Sequence, residues 1–211
     1  MQGVLAIFNN VTSGREPEFN AWFQHEHLVE RIAVPGFLLG RRYEAVSGDR
    51  RYFNYYLTLS PDVLTSAAYL ARVNDPTPMT RIVMSEIFKD MVRTVCRRTY
   101  AHGSVRGAAA AVARFEQRPN EAALRSLVET FVRDDTVAYG EVWLAAHAGA
   151  PAQSEEERLR GGDRRIEACL LIETLRTDDA ARIAASLAAS FADAAVGTYR
   201  LLCEVRPQPQ G

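Results

Sequence analysis

Ionisable and aromatic side chains meet at helical spacing in one short stretch of the chain. Phe19, Trp22, Phe23, Glu26 and Glu30 share one face of a helix expected over residues 17–33, with Val29 and Ala33 beside them and His27 at the edge of the stripe. A carboxylate on an apolar face is costly unless it is paired or solvated from a cavity. Two uses of this pattern stand open. In the first, Glu26 and the adjacent imidazole of His27 form a proton-transfer set, because desolvation raises a carboxyl pKa toward neutrality. In the second, Glu26 and Glu30 pair with Arg31, Arg41 or Arg42 and lock the helix to a sheet. Leu28 and Ile32 make a second apolar strip on the opposite side of the same helix.

Other candidates carry less chemistry. His25 falls on the exposed side of the helix, and His102 and His147 lie at strand ends or in loops. Arg93, Arg97, Arg98 and Arg106 form a basic group that nearby acids neutralise. Cys96, Cys169 and Cys203 sit far apart in apolar strand patterns and read as buried free thiols. With no Cys-x-x-Cys and no His/Cys cluster of zinc spacing, no metal site is expected. No Gly-rich phosphate loop, Gly-x-Ser-x-Gly elbow or dinucleotide fingerprint occurs.

The elements that must position these residues repeat. Strands are expected over 3–10, 37–46, 51–59 and 91–100, and helices over 17–33 and from Pro61 to about residue 89, the latter capped by Ser60 and broken at Asp75-Pro76-Thr77-Pro78. The order then recurs, with strands over 105–115, 137–146, 164–175 and 198–205 and helices capped by Asn120 and Thr177. Gly48-Asp49-Arg50-Arg51 and Gly162-Asp163-Arg164-Arg165 occupy the turn before the third strand of each half. The expected fold is therefore α+β: two tandem ferredoxin-like βαββαβ units, residues 1–102 and 103–211, whose bare sheet faces cover each other in one barrel. Along 51–59, Phe53, Tyr55, Leu57 and Leu59 form a row assigned to the helices. Tyr52, Asn54, Tyr56 and Thr58 form the row assigned to the barrel interior or a pocket. Tyr139, Glu141 and Trp143 share one row of a later strand. Residues 148–163 read as a surface connection, with a pocket lid as the alternative.

Composition narrows the partners. The 211 residues are 47% hydrophobic and 24% charged, with a formal net charge of -1 and no block of like charge. That excludes a general nucleic-acid or membrane-surface binder, since both need a concentrated basic face. No apolar stretch approaches the roughly 20 residues that cross a bilayer. The expectation is a soluble cytoplasmic protein whose partner is a small molecule, with homodimerisation left open.

The run Ala21-Trp22-Phe23-Gln24-His25-Glu26-His27-Leu28-Val29-Glu30-Arg31, then Val34-Pro35-Gly36-Phe37-Leu38 and Gly40-Arg41-Arg42-Tyr43, resembles the EthD-like branch of the dimeric α+β barrel superfamily. The resemblance covers about residues 3–100. It implies a ferredoxin-like unit that completes a barrel by pairing with another. It also implies relatives that are small cofactor-free cyclases, decarboxylases or dehydratases of aromatic or polyketide-like compounds, alongside many with no known activity. It places His27 toward the pocket. The chain departs from the family by carrying a second, divergent half where the family recruits a second subunit.

Three functions follow as expectations. One is cofactor-independent proton transfer on an apolar or aromatic molecule, with His27 and Glu26 catalytic and Trp22, Glu30, Arg41, Tyr43, Tyr52, Asn54 and Tyr56 contacting the ligand. The second is a non-catalytic ligand-binding or accessory protein. The third, haem-linked oxygenation, would take His27 as its axial ligand. Any pocket is expected in the first half, because Leu124, Leu127, Val128, Phe131 and Val132 make the corresponding helix of the second half plainly apolar.

Overall fold

A continuous apolar run, Val4–Phe8, produces the first strand of a barrel that the chain closes on itself. A computed structural model describes residues 1–146 and 153–208. His147 and the first part of the 148–163 connection lie outside the described residues. The strands are β1 (Gly3–Val11), β2 (Phe37–Ser47), β3 (Tyr52–Thr58), β4 (Phe88–Gly103), β5 (Ala109–Phe115), β6 (Val137–Ala145), β7 (Ala168–Thr174) and β8 (Ala195–Val205). They pair antiparallel in the closed order β1-β3-β2-β8-β5-β7-β6-β4. The first four strands run β4-β1-β3-β2 and the last four β8-β5-β7-β6, joined at the β2–β8 and β4–β6 seams.

Helices cover the outside. The first region contains α1 (Glu16–Trp22), a π turn (Phe23–His27), α2 (Leu28–Ile32), a 3-10 turn (Pro61–Thr65), α3 (Ala67–Asn74), α4 (Pro78–Ile82) and a second π turn (Val83–Ile87). The second region contains α5 (Glu121–Phe131), α6 (Glu155–Leu159) and α7 (Thr177–Ser190). Ser66, Thr77, Asn120 and Ser154 accept a backbone N–H three residues on and so fix four helix starts. Ser60 and Thr177, expected to cap, make no such bond. Along α7, Ala180, Ile183, Ala184 and Leu187 form the buried stripe.

Three apolar clusters result. One lies between the first-half helices and the sheet, one between the second-half helices and the sheet, and one inside the barrel. The barrel interior is filled by rings. Phe8 stacks on Phe53 at 4.6 Å, Phe53 on Tyr43 at 5.2 Å, and Tyr55 meets Trp143 at 5.0 Å.

This arrangement reverses the assignment of the β3 rows. Phe53, Tyr55 and Leu57 point into the barrel, while Tyr52 and Tyr56 pack under the helices. Every residue of β3 is buried, because helices cover one face and the opposite barrel wall covers the other. A strand buried on both faces has no polar side to orient it.

Candidate functional site

The first helix does not keep a regular phase. An unbroken helix from Glu16 would turn Glu26 and Glu30 toward the sheet with Phe19, Trp22 and Phe23. Instead the Leu28 N–H donates to the Phe23 carbonyl, five residues back, across the π turn. The extra residue rotates all that follows. The buried set becomes Phe19, Trp22, Phe23, His27, Leu28, Arg31 and Ile32. His27 and Arg31 thus take the places expected of Glu26 and Glu30. A second π turn, with the Phe88 N–H donating to the Val83 carbonyl, rephases the facing segment and buries Met84 and Ile87.

Between these two π turns and the sheet lies an enclosed cavity of about 20 Å³, room for about one water. Leu5, Ile7, Phe23, Met84, Phe88 and Met91 supply its apolar wall, and His27, Arg31, Tyr56, Tyr69, Arg93, Glu156 and Arg160 its polar one. Gly40 on β2 makes the site's floor possible: a Cβ there would sit 2.9 Å from the Tyr56 ring and 3.3 Å from Leu28 Cδ1.

The polar groups of this layer are short of partners. His27 Nδ1, Arg31 Nη1, Arg42 Nε, Tyr52 Oη, both amide atoms of Asn54 and Tyr56 Oη are all buried with no hydrogen bond. Each such group carries a desolvation cost of about 1–3 kcal/mol. The His27 ring packs on Trp22 at 4.4 Å and on Phe23 at 5.2 Å. Burial, then the charges of Arg31, Arg160, Arg42 and Arg93, push its pKa well below the usual histidine value. His27 is therefore a neutral imidazole at physiological pH. Burial pushes the Tyr56 hydroxyl up, so it is a donor and not a phenolate.

Glu26 does not join His27. Its Oε1 accepts from the Thr77 hydroxyl at 2.5 Å and the Thr80 hydroxyl at 2.8 Å, and Thr80 Oγ1 in turn accepts from Trp22 Nε1 at 3.0 Å. The expected arginine partner for Glu26 or Glu30 is absent among the described residues. The expected donors are engaged elsewhere. Arg42 donates to Asn20 and lies over the rings of Phe19, Phe23 and Tyr52, at 4.3 Å from the Phe23 centroid.

Arg41 and Tyr43 belong to a different cluster. They point into the barrel and meet Glu173, which also accepts from Arg106 and the Gly107 N–H. Glu141 beside it accepts from Arg98, Arg106 and Trp143. Burial works against charge on Glu173, yet the hydrogen bonds and charges of Arg106 and Arg41 hold its carboxyl below the usual range. This network is nearly saturated and closes one mouth of the barrel.

Of the site residues expected from sequence, the structure brings His27 and Tyr56 together in the cavity wall, with Trp22 outside the lining, packed on the His27 ring, and Tyr52 and Asn54 on the same face of β3 as Tyr56. It puts Glu26 behind Trp22, Glu30 at the half-buried edge of α2, and Arg41 and Tyr43 on the other side of the sheet. Sequence reasoning missed Tyr69, Arg93, Glu156 and Arg160 as wall residues. Glu156 and Arg160 arrive from the 148–163 connection of the second half, so the described part of that segment lies over the first-half cavity. Glu156 is buried and paired with Arg31, and Arg160 pairs with Asp163 at 2.9 Å. A haem does not fit beside His27: the space holds about one water, and the imidazole packs against two aromatic rings. Among the described residues no group of histidine, cysteine and carboxylate side chains is placed to hold a metal ion.

No family model matches the chain, and no curated protein matches it. Solved structures do. An anthrone oxidase-like protein matches with TM-score 0.62 at 9% identity, over 98% of this chain and 93% of its own. A Fusobacterium nucleatum protein provisionally described as a monooxygenase matches with TM-score 0.59 at 9% identity, over 97% of this chain and 94% of its own. A protein provisionally described as a chlorite dismutase matches with TM-score 0.54 at 10% identity, over 96% and 95%. At such identities the likeness is one of fold: this chain shares their α+β fold around a closed antiparallel barrel. No described helix is long and apolar enough to cross a membrane.

Proposed function

We propose that the chain is a small-ligand-binding protein built of two tandem ferredoxin-like units, residues 1–102 and 103–211. Its ligand site is the His27 cavity of the first unit. The matching strand orders β4-β1-β3-β2 and β8-β5-β7-β6 support the tandem reading. The ligand is apolar or aromatic on the side facing Phe23, Met84, Phe88 and Met91. The resemblance of the Trp22–Arg31 run to the EthD-like branch favours cofactor-independent proton transfer on such a molecule.

The observation that carries the reading is that three residues of one cavity wall each present a buried polar atom without a described partner: His27 Nδ1, Arg31 Nη1 and Tyr56 Oη. Native proteins satisfy such groups, and exceptions concentrate where a ligand or a reaction uses them. In this site His27, neutral and with Nδ1 unpartnered, is the proton acceptor, Tyr56 Oη is the donor, and Trp22 holds the imidazole plane. Glu26 acts on His27 only indirectly, by tethering Trp22 through Thr80.

A second reading, binding without catalysis, draws on the fact that no carboxylate is hydrogen-bonded to His27 among the described residues. The separating experiment starts with mass spectrometry of the purified protein for retained small molecules. A retained apolar or aromatic compound, lost in His27→Ala and Trp22→Ala, supports the site. Turnover of that compound by the native chain and not by His27→Gln selects the enzyme. Retention unchanged in both variants defeats the assignment of the site.

A further inference from the structure

We infer that the ligand of the His27 cavity is a carboxylate, and that Glu156 occupies the ligand's charged subsite at Arg31 until it binds. The inference rests on the reading of this cavity as a ligand site and adds the chemical class of what enters it.

The charge inventory of the wall carries the argument. The first half contributes two guanidinium groups, Arg31 and Arg93, and no carboxylate to the lining. Arg93 donates to the neutral Tyr69 hydroxyl at 2.7 Å, and no described carboxylate lies within ion-pair distance of it, Asp163 and Glu156 acting on it only from farther away. Arg31 is 2% exposed, and its only described anion is Glu156. Uncompensated buried charge is strongly unfavourable, so a wall of this kind requires an anion. In the present arrangement that anion comes from more than a hundred residues away in sequence, on α6. The same segment brings its own cation, Arg160, matched by Asp163 at 2.9 Å and lying 3.9 Å from Glu156 Oε2.

Glu156 does not use the whole subsite. It takes Arg31 Nη2, while Arg31 Nη1, His27 Nδ1 and Tyr56 Oη stay without partners. A planar carboxylate on an aromatic body would take Arg31 through both nitrogens, the geometry guanidinium favours. Its rings would lie among Phe23, Tyr56, Tyr69 and Phe88. α6 is a single short helix, Glu155–Leu159, and few contacts hold it to the first half. Besides Glu156, the Glu155 N–H donates to Asn74 Oδ1 at 3.1 Å and Arg81 to Glu155 at 3.2 Å, Leu159 packs on the first-half core, and Arg160, just past the helix end, reaches Met84 Sδ at 3.1 Å. A cavity of about 20 Å³ admits such a ligand only when this segment withdraws, so entry of the ligand and exit of Glu156 are one event.

The test compares naphthoate with its neutral isostere naphthamide on the full chain and on Glu156→Gln, by calorimetry and by the imidazole NMR signals of His27. Naphthoate is expected to bind Glu156→Gln about tenfold tighter than the native chain, because the binding-competent fraction rises when the internal competitor loses its charge. Naphthamide is expected to bind both proteins equally and at least about tenfold more weakly than naphthoate binds the variant, through loss of the charge-assisted pair. Bound naphthoate is also expected to raise the pKa of His27, which naphthamide leaves unmoved. Equal binding of acid and amide with shifts at His27, or weaker naphthoate binding in Glu156→Gln, overturns the carboxylate inference and leaves the ligand site standing. Absence of any His27 shift with either probe in either protein overturns both.

Discussion

Replacing Glu173 by glutamine removes one charge from the mouth of the barrel and leaves the shape intact. The carboxylate is fully buried and accepts from Arg41 Nη1 at 2.6 Å, Tyr43 Oη at 3.0 Å, Arg106 Nη2 at 2.6 Å and Nε at 2.9 Å, and the Gly107 N–H at 2.9 Å. An amide keeps one acceptor oxygen and turns two N–H donors toward groups that also donate. Breaking a buried pair by removing one partner costs about 3–5 kcal/mol. For a chain of this size each kcal/mol moves the thermal midpoint by about 2–4 °C, so Glu173→Gln should melt about 6–20 °C lower. The pH dependence has a definite sign. The folded carboxyl titrates below its unfolded value, so its contribution is fully present above the ordinary glutamate range of about 4.3 and is lost as pH falls through the folded pKa. Urea denaturation followed by circular dichroism from neutral to acid pH should show a constant gap between native and variant chains that closes below about pH 4. A loss under about 1 kcal/mol, or a gap that widens on acidification, would refute the assignment of this network as a buried, charge-paired lock.

Two further outcomes bear on the site itself. The imidazole signals of His27 should stay those of the neutral ring down to pH values at which a free histidine is protonated. Because its folded pKa lies below the unfolded value, its contribution to stability should fall as pH drops below about 6.5; a titration midpoint at or above that value contradicts the site electrostatics. Gly40→Ala should cost about 1–3 kcal/mol by urea denaturation, the usual penalty of overpacking, since the new methyl meets the Tyr56 ring. An unchanged midpoint would mean that β2 does not support Tyr56.

Strand positions were legible because apolar runs bounded by turn residues survive in the sequence, and the boundaries of β2 and β6 fall within a residue or two of expectation. The failures have separate physical causes. Phe23–His27 widens by one residue, and a stripe counted at 3.6 residues per turn then selects Glu26 and Glu30 where the fold buries His27 and Arg31. The β3 rows were exchanged because both are buried and Asn54 made the helix-side row look like a pocket lining. Glu173 sits inside a strand without a flanking signal, although Leu170, Leu171 and Ile172 before it already mark a strand with no solvent face. Glu156 could not have been found at all. Its meeting with Arg31 depends on how residues 153–163 cross from one half to the other, and no local pattern encodes that crossing.

Closure of eight strands within one chain means that each side chain of the barrel is present once. In a barrel assembled from identical subunits, any substitution that loads one helix layer with strained polar groups loads the other equally, and the two penalties add. Here the layer beneath α5 and α7, packed with Leu124, Val128, Ile183 and Leu187, contributes apolar burial with few liabilities. That surplus offsets what Asn54, Tyr56, His27 and Arg31 cost on the opposite side. Single-copy closure thus lets one half drift toward instability for the sake of its contents while the other remains a counterweight.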